Sequence, residues 1–321
     1  MLARRILLFA LASLVTFPVT SMGQTYPDRV VRIYNPFSAG GTSDILSRIV
    51  ATGLQEAFGQ PFVVEAKPGA GGNIALEAVS QARPDGYTLV MAPAGMTVAT
   101  SLFKLNFNPT RDLAPVVLVG KAPSLLVVPA QSSFRSLNEI TEYARANPGK
   151  LNYASFGVGT TPHLFMEMLL TRTGVTMQHV PYKGAGPAVT DLIGGQVQLA
   201  FQTAAAVLPH VQQGRLRALA TSSAERYPGL PSIPSIAELG LAGFDESAWF
   251  GIVAPRDTPP AVVQKLNAEA VRILQRPDVR KQLDTLGVVA APMSAEAFGK
   301  FIAEEETKWT GIIRKLGLKP E

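Results

Sequence analysis

Two short stretches of the chain carry residue types that could do chemistry: 34-YNPFSAGGTSDILSR-48 and 151-LNYASFGVGTTPHLFMEML-169. In each, an apolar run ends, a loop of small residues follows, and a helical pattern opens. A helix N-terminus offers unpaired N–H groups and about half a positive charge, so it attracts anions. Gly40 and Gly41 let the first backbone approach a bound group closely and reach positive φ. Thr42 or Ser43 can cap the helix that follows. Gly157 and Gly159 do the same in the second stretch. There Thr161 is the natural N-cap and Pro162 takes the first helical position, where a missing N–H costs nothing. The donors are neutral N–H and hydroxyl groups, which suit a carboxylate held between the loops. Either loop alone also reads as an ordinary strand-to-helix turn.

Asp44 stands in the first turn of its helix, where a carboxylate ordinarily complements the dipole. The alternative is an acceptor for a ligand ammonium or hydroxyl. His163 stands in the first turn of the second helix, either as a neutral packing residue or as a donor to ligand. Phe37 and Trp249 could supply apolar walls, Trp249 alternatively packing at a hinge.

Other chemistries fail on spacing. The runs 69-GAGGNI-74 and 157-GVGTTP-162 lack the third glycine of a dinucleotide fingerprint, and no G-x-x-x-x-G-K-S/T occurs. The three histidines, His163, His179 and His210, form no H-E-x-x-H pair, and there is no cysteine nucleophile. No G-x-S-x-G elbow surrounds a serine. The reading is therefore of a protein that is not an enzyme and needs no cofactor or metal. His179 and His210 read as structural.

Strand and helix signals alternate along the chain, which argues for parallel sheet flanked by helices. Strands are expected at 30–34, 61–65, 87–92, 125–130, 152–155, 177–182, 197–201, 215–221 and 250–255. Helices are expected at 45–58, 73–82, 137–146, 162–171, 185–193 and 204–213, then at 260–274, 279–286 and 295–316. The segment 113-LAPVVLVGKAPSLLVV-128 reads as a strand crossing between two lobes. The expected fold class is α/β: two lobes, each a mostly parallel sheet flanked by helices. Its ligand cleft lies between the lobes. The boundaries expected are residues 24–123 plus 226–321 for lobe 1 and 124–225 for lobe 2, with the return crossing somewhere in 219–255.

The N-terminus reads as a secretory signal peptide over residues 1–23. Arg4 and Arg5 precede the apolar run Ile6 to Val15, and Ser21 and Gly23 are small residues before the cut. Without cysteine the mature chain has no site for lipid attachment and no disulfides. The 29 basic residues less Arg4 and Arg5 leave 27 against 24 acidic ones, a mature net charge of +3. These charges are scattered and no basic cluster carries interleaved aromatics, so nucleic acid is not an expected partner. A mature length of about 300 residues suits two lobes rather than one core.

Several motifs stand in order along the chain: 26-YPDRVVRIYNPFSAGGTSDILSR-48, 67-KPGAGGNIA-75, 84-PDGYTL-89, 155-SFGVGTTPHL-164, 180-VPYKGAGPAVTDLIGGQV-197, 249-WFGIVAP-255 and 258-TPPAVVQKLN-267. Together they resemble the periplasmic substrate-binding proteins of tripartite tricarboxylate transporters, the Bug family, over essentially the whole mature chain. The resemblance implies a two-lobed periplasmic-binding-protein fold (type II-like) closing on a small carboxylate held by both glycine loops, partly through ordered waters. Carried over, the first loop is Phe37, Ala39, Gly40, Gly41, Thr42 and Asp44. The second is Ser155, Gly157, Gly159, Thr160, Thr161 and His163. Tyr182 and Lys183 fall in the family's P-Y-K-G turn, and the loop from Ala94 to Met96 shapes the ligand's distal end. After the strand ending LAF the family commonly has aspartate, whereas here the residue is Gln202. A neutral amide there removes an acceptor charge, which favours a di- or monocarboxylate over an amino acid.

The resemblance also implies a monomer in the periplasm that delivers its solute to membrane transporter subunits. A ligand-sensing module for a membrane signalling partner, or an enzyme on the same lobes, are the competing readings.

Overall fold

A computed structural model of the chain describes residues 26–318. The expected signal peptide, residues 1–23, lies outside the described residues. Among those described, no helix is long and apolar enough to cross a membrane.

The elements run β1 (Val31–Asn35), α1 (Thr42–Phe58), β2 (Phe62–Ala66), α2 (Asn73–Ser80), β3 (Thr88–Pro93), α3 (Ala99–Leu102) and β4 (Leu113–Pro129). Then come α4 (Leu137–Ala146), β5 (Asn152–Ser155), α5 (Thr161–Thr173), β6 (Gln178–Pro181), α6 (Ala185–Ile193), β7 (Leu199–Thr203), α7 (Ala204–Gln212) and β8 (Leu216–Thr221). The chain closes with β9 (Ser247–Pro255), α8 (Pro260–Gln275), α9 (Pro277–Thr285), β10 (Val289–Ala290) and α10 (Ala295–Leu316). The expected strand-helix alternation and the three closing helices are present.

Local signals set the boundaries. In α1 the apolar residues Leu46, Val50 and Leu54 recur at four-residue spacing and are buried, so one face packs inward. Gly59 ends the helix in a left-handed conformation (φ 67°), and its N–H bonds to Gln55 O. The buried face meets α8. A methyl on Gly53 would lie 2.5 Å from Ile273 Cγ2, so only glycine lets the two helices come this close.

Two sheets share one long strand. β1 pairs in parallel with β2 and β3, and β5 pairs in parallel with β6 and β7. From Leu113 to Pro123, β4 lies antiparallel to β9, which in turn lies antiparallel to β3. From Ser124 onward, β4 lies antiparallel to β7 and β8. The expectation of mostly parallel sheet holds for the three-strand side of each lobe, while the crossing strands run against it. Buried apolar runs mark strands without encoding their direction.

Residues 222–246 stay with the second sheet. Ser235 bridges Thr221, and Ile236 and Phe244 join the core around Phe165 and Phe201. The chain rejoins the first sheet at Ser247, the start of β9, inside the 219–255 range expected for the return. Ser222 staples the crossing: its hydroxyl accepts from Ser124 N–H at 2.9 Å and donates to Glu246 O at 2.7 Å.

The last helix also differs from the expected assignment of 226–321 to one lobe. α10 starts in the first lobe, with Phe298 and Ile302 packed around Trp249. It ends in the second, where Trp309 and Ile313 join the core and Trp309 stacks on Phe165 at 6.0 Å. An amphipathic pattern marks the apolar face of such a helix but not the partner it meets.

Candidate functional site

The first loop joins β1 to α1. Asn35 is fully buried and its amide donates to Phe37 O at 2.8 Å, which turns the chain. Gly40 takes the positive φ (86°), whereas Gly41 is extended (φ −85°, ψ 170°). Gly41 makes a close approach: a methyl there would stand 3.3 Å from Ala185 Cβ in the second lobe, a tight contact. Gly41 is also the N-cap of α1, and no side chain caps the helix. Its first-turn N–H groups are left open. Asp44 does not face the cleft. Its carboxylate folds back to accept from Gly40 N–H at 3.1 Å and pairs with Arg48 Nε at 3.2 Å. The neighbouring Ser43 hydroxyl is buried without a protein partner.

The second loop joins β5 to α5. Gly157 and Gly159 both need positive φ, at 123° and 73°. Thr160 is the N-cap and Thr161 the first helical residue, one position from the expected assignment. Thr160 Oγ1 donates to Gly157 O at 2.6 Å instead of capping, so α5 too begins without a side-chain cap. Ser155 Oγ accepts from Gly157 N–H at 3.0 Å, and His163 Nδ1 accepts from Gly159 N–H at 3.3 Å. Behind the loop the rings of His163 and His179 lie 4.6 Å apart. Burial pushes their pKa values down, to about 3 for His163 and about 4 for His179, because the apolar surroundings disfavour a cation.

The two loops meet at one cavity of about 30 Å³. Its wall includes Gly41, Thr42 and Ser43 from the start of α1, and Thr160, Thr161 and Pro162 from the start of α5. Phe37, Ala94, Phe156 and Trp249 make up apolar wall, and Thr203 enters from the end of β7. No lining residue is ionisable. The lobes touch directly here. Ser38 N–H donates to Lys183 O at 3.1 Å, the Thr42 and Thr203 hydroxyls bond at 2.6 Å, and the Phe37 and Phe156 rings are 5.8 Å apart. The volume matches one or two waters rather than a small acid, so a solute can enter only when the lobes part.

Of the residues expected at the site, Phe37, Gly41, Thr42, Ala94, Thr160 and Thr161 line this cavity. The others lie elsewhere. Ala39 and Gly40 are exposed at the rim. Ser155, Gly157, Gly159 and His163 shape the second loop from behind through the bonds given above. Tyr182 donates to Asp191 Oδ2 at 2.7 Å, which fixes its turn and leaves its pKa pushed up to about 12 by burial and that carboxylate. Gln202 pairs in register with Leu125, whose side chain belongs to the core cluster under α6 and α7. Its amide atoms are buried without protein partners, and it is not in the cavity wall. Strand alternation puts the next residue, Thr203, at the cleft instead. Sequence reasoning passed over Ser43 as a donor and Phe156 just before the loop glycines; Gly95, inside the expected 94–96 loop, comes so close to the second lobe that an added methyl would stand 2.9 Å from Gly159 O.

Two lobes joined by crossing strands, closing on a neutral, donor-bearing cavity, define a solute-binding protein. The chain belongs to the tripartite tricarboxylate transporter family of receptors, TctC, whose sequence profile matches residues 46–318. Its fold is that of Rpa4515 of R. palustris, solved with adipate: TM-score 0.89 at 33% identity, over 92% of this chain and 100% of that one. The periplasmic binding protein BugD matches with TM-score 0.89 at 32% identity, over 92% and 100% of the two chains. MatC (Rpa3494) from Rhodopseudomonas palustris, solved with malate, matches with TM-score 0.85 at 32% identity, over 90% and 100%.

Proposed function

We propose that this protein captures a small carboxylate in the periplasm and delivers it to the membrane subunits of a tripartite tricarboxylate-type transporter. The observation that carries the reading is the pairing of two uncapped helix N-termini, one per lobe, at a single cavity with no ionisable side chain. Open first-turn N–H groups and dipoles of the same sign favour one anionic group between them. The adipate and malate held by the two relatives support a carboxylate. The rest of such a solute would lie against Phe37, Phe156 and Trp249, with the partnerless Ser43 hydroxyl beside it. The absence of any acid, base or nucleophile among the lining residues, serine and threonine hydroxyls apart, favours binding without turnover.

Capture would proceed by lobe closure. The lobes are assigned as residues 26–123 with 247 to the middle of α10, and 124–246 with the end of α10, hinged where Ser222 ties the crossing strands. Export through the signal peptide at residues 1–23 and action as a monomer complete the reading.

The test is calorimetric titration of the protein lacking residues 1–23 with adipate, malate, monocarboxylates, acidic amino acids, sugars and nucleotides. Saturable heat with one or more carboxylates and none with sugars or nucleotides supports the reading. Binding of a sugar or nucleotide with a silent carboxylate set refutes it.

A further inference from the structure

We propose that His163 is a positioning residue: its unprotonated Nδ1, backed by the ring of His179, sets the shape of the second carboxylate loop. The proposal rests on the two-loop reading above. A glycine loop is usually read as presenting its own amides to the ligand. Here the amides of both glycines are turned inward. Gly157 N–H goes to Ser155 Oγ at 3.0 Å and Gly159 N–H to His163 Nδ1 at 3.3 Å. With those two fixed, Thr160, Thr161 and the open first turn of α5 face the cavity.

The bond to Gly159 demands a specific state of the ring. Nδ1 can accept only when it carries no proton, so His163 is neutral with its proton on Nε2. A protonated ring would aim N–H at N–H and would add a cation beside a helix N-terminus. What keeps the ring neutral is its setting. His163 is 7% exposed, and its neighbour His179 stacks on Tyr153 at 4.9 Å on the side of β5. The Tyr153 hydroxyl donates to Glu167 Oε1 of α5 at 2.5 Å, so the carboxylate's acceptor is engaged by tyrosine and not by a histidine. His179 Nε2 is 2.6 Å from Ser155 Oγ, the atom that holds the other loop amide. The titratable groups facing the pair are thus each other, Tyr153 and, behind it, Glu167. Among the described residues no charged side chain bonds to either ring.

The loop therefore keeps its shape throughout pH 5–8, where an ordinary exposed histidine near 6.5 would titrate. The test compares His163→Asn, whose amide oxygen can stand where Nδ1 stands, with His163→Leu, which fills the volume and accepts nothing. Two readouts are taken: hydrogen exchange of the Gly159 amide without solute, and adipate affinity at pH 7.5. In His163→Leu, exchange at Gly159 should quicken and adipate affinity fall, each by about tenfold, the worth of one net hydrogen bond. His163→Asn should restore both to within about threefold. Equal behaviour of the two variants, whether both intact or both impaired, overturns the proposal. If the unmutated protein binds no adipate, that outcome counts against adipate as the solute and not against the positioning role. The role is then decided by Gly159 exchange and by the ring ¹⁵N spectrum. A neutral Nε2–H tautomer from pH 5 to 8 is expected, and an Nδ1–H tautomer or a cation at pH 6 refutes it.

Discussion

A single methyl group on Gly95 should weaken solute binding while leaving the fold intact. Gly95 lies in the short turn after β3, outside the left-handed region, so alanine is compatible with its backbone. In the closed structure the added carbon would stand 2.9 Å from Gly159 O, across the cleft in the other lobe. A comfortable C–H···O approach is about 3.3–3.6 Å, so the lobes would have to back off by roughly half an ångström. Neither atom can swing aside, because one is a Cβ and the other a backbone oxygen. Overpacking of this kind costs about 1–3 kcal/mol, which falls on the closed state alone and corresponds to roughly 5- to 150-fold in affinity. The melting temperature without solute should hold or rise slightly, since alanine restricts the unfolded chain more than glycine does. Calorimetric titration of Gly95→Ala with adipate, beside a thermal melt, separates the two effects. Wild-type affinity in this variant would show that binding does not bring Gly95 against Gly159, and the closure geometry would be wrong.

Three further outcomes are expected. Gly53→Ala should do the reverse of Gly95→Ala: its methyl would meet Ile273 Cγ2 at 2.5 Å between α1 and α8, lowering stability by about 1–3 kcal/mol in a thermal melt with solute affinity unchanged. Trp249 lines the cavity while Trp309 lies in the second-lobe core, so Trp249→Phe should abolish solute-dependent fluorescence change and Trp309→Phe should retain it. Stability should fall as pH drops from about 6.5 toward 4. His163 and His179 titrate near 3 and 4 when folded and near 6.5 when unfolded, so the unfolded chain takes up the protons in this window. The slope from His163 is at most about 1.4 kcal/mol per pH unit, with a smaller share from the less buried His179. His163→Asn should flatten the pH dependence seen by denaturant titration.

Much of the frame was legible because its signals are local. The run 113–128 is too long and too apolar for an ordinary edge strand, and it crosses the molecule as β4. The helices expected at 45–58 and 260–274 end at Gly59 and open at Pro260 close to where the structure has them. The glycine loops announced themselves through composition and position before a helix. What stayed hidden depends on which face or partner a residue meets. Asp44 reads as a complement to the helix dipole or as a ligand acceptor, and its bond to Gly40 N–H at 3.1 Å is seen only in the structure. Gln202 and Thr203 are adjacent on one strand, and only the pairing of β7 with β4 decides which faces the cleft. α10 has one apolar stripe from end to end, yet its two halves serve different lobes. His163 and His179 were read one by one, and their joint role appears only when the fold brings β6 beside α5.

The measurement closest to the central claim is a crystal structure of the protein with a bound carboxylate. The account predicts one carboxylate group between the lobes, its oxygens within hydrogen-bond distance, directly or through one water, of the first turns of both α1 and α5. It also predicts that Gly157 and Gly159 N–H stay on Ser155 and His163. A carboxylate held by lysine or arginine, or seated on one lobe while the cleft stands open, would contradict it.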